Sequence, residues 1–555
     1  MSSPGRATAS LAGLPPEVQH TICAQLCCHC CNAMPENTRK HVTNRRALMA
    51  LSATSKQMKA VAQPFVFHYV PGSLSGRHLH LWPFIRTIHA RPDLASAVKW
   101  LGCNTDRPFD DAGAIRRCKE IGRSLQLSLD GDPSFSVFTD RVTAISLTQN
   151  CDPWLIDQFV NEVVISMLTG LEMLELAVYA DTYDKKVFEP GCVFLASRFK
   201  RLEKTPGLAS LRALKFNIGH YRVAAPGISV LLNAAPNLEQ LLFKSCSGFW
   251  HRNYPDFRDE PLELPEARDI RALVPIMHNL RSLSFDSSVL RDDDEYSDFE
   301  SLRGLIERCP RLEHFTFKAF RPLDDIDRTD IQHHRLVSAL LPARETLKVL
   351  DLYIGSILER YTGAYVDNFT GEIIEAATPV DLGPLLAQFR RLEVLKLDEA
   401  AFCRHQNDVD LADPFAMPGD QDKAKEGEES TCITDLLPLG VKRLSVRLVR
   451  GSRAWDDVAY LATAVRNGDF PALSAVRVDA QPTQPYVMRD PGEWSSICEK
   501  TEQDIKRLRH AFKGVGVSLE TRALSEWDLY ELDKMDEEPV FPDREPLNEV
   551  LSDFC

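Results

Sequence analysis

The side chains in this chain best suited to chemistry sit near its beginning. Cys27-Cys28-His29-Cys30-Cys31 follows Cys23 and precedes His41. Cys27/Cys30 and Cys28/Cys31 form two overlapping C-x-x-C pairs, the spacing used for thiolate metal sites and for redox pairs. A structural zinc site needs four ligands and usually draws them from two separated pairs. Only His41 stands in for the second pair here, so no metal and no cofactor are expected, and the thiols read as small apolar groups at a helix end. His333-His334 reads as part of a polar loop with no third ligand. Asp110-Asp111 and Asp324-Asp325 are adjacent pairs whose side chains diverge on a strand or a helix. There is no G-x-S-x-G elbow, phosphate-binding glycine loop, H-E-x-x-H or dinucleotide-binding G-x-G-x-x-G. The expectation is a protein that is not an enzyme.

Bulk composition narrows the partners. The 555 residues are 44% hydrophobic and 26% charged, with a formal net charge of -14. An acidic chain whose basic clusters are pairs such as Arg45-Arg46 and Arg390-Arg391 does not suit nucleic acid, which needs a dense basic face. No apolar run reaches the roughly 18 residues of a membrane span. Met1–Ser10 carries no secretory apolar segment. The 15 cysteines therefore read as reduced thiols in cytoplasm and/or nucleus.

Stepping along the chain, Leu14-Pro15-Pro16-Glu17 opens a helix, with proline where its missing N–H has no partner. Val18, Ile22 and Leu26 follow as a stripe at spacing four. Leu48, Met49 and Leu51 mark a second helix. Thr54 with Gln57 has capping-box spacing for a third, lined by Met58, Val61, Ala62 and Phe65. Pro64 should end it, leaving Val66–Val70 extended.

Leu14-Pro15-x-Glu17, Ile22, Leu26, Leu48, Leu51-Ser52, Thr54-Ser55-Lys56 and Val61-Ala62-x-Pro64-Phe65 together resemble the F-box family over residues 11–70, with an insert at 27–46. The resemblance implies docking on a Skp-type adaptor of a cullin complex through Leu14, Pro15, Ile22, Leu26, Leu51 and Phe65.

Beyond a linker at 71–94, a second pattern recurs over 95–520: apolar-x-x-apolar-x-apolar. It begins with Val142-x-x-Ile145-x-Leu147, Leu171-x-x-Leu174-x-Leu176, Leu211-x-x-Leu214-x-Phe216 and Leu238-x-x-Leu241-x-Phe243. Leu280-x-x-Leu283-x-Phe285, Leu312-x-x-Phe315-x-Phe317 and Leu347-x-x-Leu350-x-Leu352 follow. Leu392-x-x-Leu395-x-Leu397, Val441-x-x-Leu444-x-Val446 and Leu473-x-x-Val476-x-Val478 complete the series. Each reads as a strand with alternate residues inward, after a helical stretch such as Trp154–Leu168 or the turn of Leu302, Leu305 and Ile306. A unit that cannot bury its apolar face alone must stack on its neighbours. The pattern resembles leucine-rich repeats, particularly at Ala235-Pro236-Asn237-Leu238 and Cys309-Pro310-Arg311-Leu312. The Asn usual to that family is replaced by Tyr179, Gly219, Phe320 and Gly355, among others.

The fold expected is α/β: a small helical module and an irregular solenoid with parallel strands on the concave face and helices outside. Arg291–Glu295 and Pro418–Ser430 read as loops, Glu493–Phe512 as a helix, Val515–Leu519 as a last strand, and 521–555 as an acidic tail. The outward strand residues Lys215, Lys244, Lys318, Tyr353, Lys396, Arg443, Arg447 and Arg477 form a candidate substrate face. Its cations would make a broken positive stripe, suited to an acidic or phosphorylated protein. The function these resemblances imply is a substrate-recognition adaptor of an SCF-type cullin–RING ubiquitin ligase. The alternative is a leucine-rich-repeat scaffold with no ligase role.

Overall fold

A computed structural model describes residues 11–31, 38–70, 81–104, 120–122, 124, 153–177, 187–188, 207–250, 270–290, 292–293, 296–319, 333–354, 365–366, 373–374, 382–402, 433–449, 454–481 and 491–523. The Val142–Leu147 pattern, the segment 418–430 and the tail beyond 523 lie outside these residues.

The N-terminal module is three helices: α1 (Pro16–Leu26), α2 (Thr38–Thr54) and α3 (Lys56–His68). Pro16 at the first helical position and Glu17 in the first turn open α1 as the sequence indicates. The cap of α3 falls one residue later than expected. Ser55, in extended conformation, accepts from the Met58 N–H at 3.1 Å, whereas Thr54 donates to the Leu51 carbonyl inside α2.

Pro64 does not end α3, which continues to His68, so Val66–His68 is helical rather than extended. A proline inside a helix costs about 3 kcal/mol. The turn that follows it puts Phe65 and Val66 into the module core, and each buried side chain of that size contributes about 1.5–3 kcal/mol. Packing outweighs the local penalty.

From the end of α3 the chain enters one sheet of thirteen strands, twelve of them on a continuous path in sequence order. These are β1 (Tyr69–Val70), β2 (Trp100–Asn104), β3 (Met173–Ala177), β4 (Ala213–Ala224), β5 (Gln240–Trp250), β6 (Ser282–Ser288), β7 (His314–Ala319), β8 (Val349–Tyr353), β9 (Val394–Asp398), β10 (Arg443–Val449), β11 (Ala475–Gln481) and β12 (Ser518–Ala523). Every neighbouring pair on this path is parallel. Parallel neighbours need a crossover between them, and most crossovers here are helical. The result is a solenoid-like α/β body.

Register explains the recurring pattern. Leu174, Leu214, Leu241 and Leu283 align strand to strand, followed by Phe315, Leu350, Leu395, Leu444, Val476 and Leu519. Two residues on, Leu176, Phe216, Phe243, Phe285, Phe317 and Leu352 form a second buried row. The first apolar residue of each motif closes a turn before its strand. The N–H of Leu211, Leu238, Leu280 and Leu312 donates to the carbonyl three residues back, at 3.0–3.2 Å. Asparagines just before that position partly replace the missing ladder: Asn237 Nδ2 donates to the Ala209 carbonyl at 2.8 Å and Asn279 Nδ2 to the Pro236 carbonyl at 3.1 Å.

Several boundaries move. The stretch 71–94 is not a plain linker: it holds α4 (Leu81–Ala90) and the start of α5 (Pro92–Ala97), with Phe84, Ile85 and Ile88 buried in the main core. The expected helices appear as α6 (Pro153–Met167), α9 (Asp298–Glu307) and the helix Pro491–Ala511, while α7 (Ala225–Ala234) and α8 (Ile270–Leu273) lie between α6 and α9. The acidic loop contains a two-residue antiparallel pair, Asp292–Asp293 with Tyr296–Ser297. His333-His334 starts α10 (His333–Ala339) rather than lying in a loop. The last strand begins at Ser518 and runs to Ala523, beyond the predicted body boundary, with Glu520 and Arg522 in register with Arg477 and Asp479 of β11.

Candidate interaction surfaces

Val18 and Ile22 of the α1 stripe face away from the module's interior, while Leu26 at its end packs against the core. The buried face is one residue over: Gln19, Cys23 and Cys27 point inward. Gln19 is fully buried because its amide has partners, donating to the carbonyls of Leu11 (3.2 Å) and Leu14 (2.9 Å). That contact ties the entry segment to the helix and turns the stripe outward. Val18 is 42% exposed, and Leu14, Ile22 and Leu26 are half-buried. Pro15 is exposed and Leu51 half-buried. Phe65 differs from the expectation: at 4% exposure it packs with Cys23, Leu48, Met58 and Ala62. It supports the surface from beneath and is not part of it.

On the body, the strand residues between the buried rows form the sheet face away from the helices. The expected positive stripe is not what stands there. Lys215 is 2.9 Å from Glu175, Lys318 3.6 Å from Asp286 and Lys396 2.8 Å from Asp351. Arg477 pairs with Asp479 at 3.0 Å, and Lys244 is buried at 9% exposure. The reason is register: Glu175 lies opposite Lys215 and Asp351 opposite Lys396, so in-register parallel strands set acid beside base. Arg443 is exposed at a strand entry. Arg447 lies 4.2 Å from the centroid of the half-buried Tyr353 ring, a cation–π arrangement. The face is a mosaic of compensated charges around one arginine–tyrosine pair.

A second charge pattern was missed in the sequence. In eight consecutive motifs the residue after the first apolar position alternates in sign: Glu172, Arg212, Glu239, Arg281, Glu313, Lys348, Glu393 and Lys442, with Lys99 before them. Their main chains form one hydrogen-bonded ladder, each N–H donating to the carbonyl of the preceding rung at 2.8–2.9 Å. Side chains pair along it: Lys99–Glu172 at 2.9 Å, Arg212–Glu239 at 2.6 Å, Glu313–Lys348 at 3.1 Å and Glu393–Lys442 at 3.0 Å. The Lys442 ammonium holds the Glu393 carboxyl below the usual carboxylate range. Each exposed pair contributes little alone, but alternation keeps like charges apart on neighbouring strands. Glu313→Lys, which inserts a third cation between Arg281 and Lys348, should cost about 1 kcal/mol at low salt. The loss should shrink in high salt as screening grows; thermal unfolding at two ionic strengths checks this.

The cysteine run occupies the turn after α1. Cys23, Cys27 and Cys28 are buried, Cys30 and Cys31 exposed. The second half of the site, expected to be missing, comes from the end of α3. His68 Nδ1 lies 3.5 Å from Cys27 Sγ and 3.4 Å from Cys30 Sγ. His29 Nδ1 is 3.9 Å from Cys30 Sγ, and its Nε2 is 3.1 Å from Glu172. Burial lowers the His68 pKa to about 4, with His29 and Lys99 adding to the effect, so the imidazole is neutral at pH 7. Burial, with Cys27, Cys31 and Glu172 nearby, raises the Cys30 thiol to about 12. His41 lies on α2, where its side chain is outside the described residues.

Comparison with protein-family models, curated proteins and solved structures finds no match. The chain's two surfaces and its cysteine corner are therefore read on their own chemistry. Among the described residues no helix is long and apolar enough to cross a membrane. Of the other metal-capable residues, His333 Nε2 lies 3.3 Å from the buried carboxylate of Asp398, which also accepts from the Ile354 N–H at 2.6 Å. That carboxylate closes the end of β9 and holds the start of α10 against it.

Proposed function

We propose that the chain is a non-catalytic substrate receptor: an F-box protein whose leucine-rich-repeat body holds a protein partner for an SCF-type cullin–RING ubiquitin ligase. The observation that carries the reading is the outward apolar stripe of α1 on a module whose own core is complete. Cys23, Leu48, Met58, Ala62 and Phe65 already fill that core. Leu14, Pro15, Val18 and Ile22 are thus left for a partner rather than for folding, beside Leu26 and Leu51, which are half-buried against that core. Exposed apolar side chains grouped on one face mark interaction sites. The parallel sheet beyond it supplies a long side-chain mosaic of the sort on which solenoids bind proteins.

The Arg447–Tyr353 pair carries the partner contact on the sheet face, since arginine and tyrosine are residue types that concentrate binding energy. With the lysines paired to acids, recognition there rests on matched polar groups more than on net attraction to an acidic chain. Such a receptor works in the cytoplasm or nucleus and leaves the transfer chemistry to other subunits.

The test is capture of a purified Skp-type adaptor by the full chain. Leu14→Ala with Ile22→Ala should reduce affinity about thirtyfold, since truncating interface anchors costs about 2 kcal/mol. Thermal unfolding of the chain should not move. Adaptor capture that is absent in the wild type, or unchanged in the folded double variant, would remove the ligase reading and leave a repeat scaffold.

A further inference from the structure

The corner where the helical module meets the sheet is built from groups that suit a metal better than they suit one another. Cys27 Sγ, Cys30 Sγ and His68 Nδ1 lie within 4.8 Å of one another. Both sulfurs approach the same imidazole nitrogen, at 3.5 and 3.4 Å. A ring nitrogen of histidine carries either one lone pair or one N–H, so hydrogen bonding accounts for only one of the two approaches. Zinc accounts for both. Zn–S bonds of about 2.3 Å and Zn–N bonds of about 2.0–2.1 Å, at tetrahedral angles, separate sulfur from nitrogen by about 3.5 Å.

We propose that Cys27, Cys30 and His68 ligate a structural zinc ion, with the neighbouring His29 drawn in as the fourth ligand when the ion binds. His29 stands beside the trio, outside the 4.8 Å cluster that the other three ligand atoms form. Its Nδ1 is 3.9 Å from Cys30 Sγ, while its Nε2 is held by Glu172 at 3.1 Å. A metal-bound histidine commonly passes its other nitrogen to a carboxylate, which sets the ring's orientation. Glu172 in turn pairs with Lys99 at 2.9 Å, and the backbone N–H of Glu172 donates to the Lys99 carbonyl at 2.8 Å. The donor set of two thiolates and imidazole selects a soft or borderline dication over calcium or magnesium.

The position gives the ion a structural task. Cys27 follows α1, His68 is the last residue of α3, and Tyr69, the next residue, begins β1. Glu172 stands just before β3. One ion at this point ties the first helix, the third helix and the first charge rung of the body together. The ion is a staple between the module and the solenoid, independent of what either surface binds.

The experiment uses the full chain, expressed with zinc and purified under reducing conditions. Elemental analysis should find on the order of one zinc per chain. Cys27→Ser, Cys30→Ser and His68→Ala should each bring it to background. Cys31→Ser should keep the zinc, because Cys31 Sγ instead donates to the carbonyls of Ala24 and Gln25. His29→Ala and Glu172→Gln should weaken zinc affinity about ten- to hundredfold. If the ligand variants misfold, the wild type decides the matter. Stripped of metal and titrated with cobalt(II), it should develop thiolate charge-transfer and tetrahedral ligand-field absorption, reversed by zinc. Wild type that arrives without zinc and takes up no cobalt overturns the site. So does full zinc occupancy in the Cys27→Ser/His68→Ala double variant, or a Cys27–Cys30 disulfide in the freshly purified chain.

Discussion

Phe285→Ala should destabilise the repeat body by about 3–5 kcal/mol. Phe285 is fully buried and lies at the middle of an aromatic row running across four strands. Its ring stacks on Phe243 at 5.1 Å between centroids, meets Phe249 edge-on at 5.9 Å, and lies 6.2 Å from both Phe315 and Phe317. Removing it deletes the burial of a large side chain and leaves a cavity in a region held on both sides by neighbouring strands, which limits collapse. In a stacked array each unit is stabilised mainly by its neighbours. The loss should therefore appear first as faster hydrogen exchange in β5, β6 and β7, and then as a lower denaturant midpoint. Phe285→Leu, which keeps most of the volume, should cost clearly less. A change under about 1 kcal/mol for the alanine variant would mean that this row is not the body's core.

Gly248→Ala should cost about 3 kcal/mol, far more than a methyl group on a surface strand. Gly248 has φ of +102°, a region where side chains carry strain of order 1–3 kcal/mol. A Cβ built there would also collide with the Asp298 carboxylate. Asp298 is buried, begins α9, and accepts from the Phe249 N–H at 2.9 Å. Moving the carboxylate aside leaves a buried backbone donor without its acceptor, a loss of about 1–3 kcal/mol. The decisive measurement is a double-mutant cycle with Asp298→Ala. Once that carboxylate is gone, Gly248→Ala should cost only the backbone strain, so the two changes together should cost less than their sum. Strict additivity of the two denaturant-derived losses would show that the contact between them is not the cause.

How far the sequence reaches can be judged residue by residue. The strand positions were legible because their signal is local. Leu211-x-x-Leu214-x-Phe216 and its relatives carry a period of two after a turn residue, and that spacing puts the same side chains inward on any strand. Pro16 and Glu17 marked the start of α1 for a similar reason: both act within one turn. Local rules failed where a distant contact competed with them. Pro64 reads as a helix end, yet burial of Phe65 and Val66 carries the helix on to His68. The stripe of Val18, Ile22 and Leu26 is legible from its spacing, but which way it faces is set by buried Gln19, tied to the Leu11 and Leu14 carbonyls.

By itself, then, the sequence determined that the chain alternates strands with helical stretches, which strand residues are buried, and that a helical module precedes them. These properties follow from periodicity and from short-range turn and cap chemistry. Tertiary structure alone decided which residues meet. Lys396 faces Asp351 and Lys215 faces Glu175 because parallel strands joined by crossovers of unequal length settle in one register, and that register replaces a positive stripe with a paired mosaic. His68 reaches Cys30 across 38 residues only because α3 packs back along α1. Separations of this kind depend on the whole path of the chain, and no local spacing encodes them.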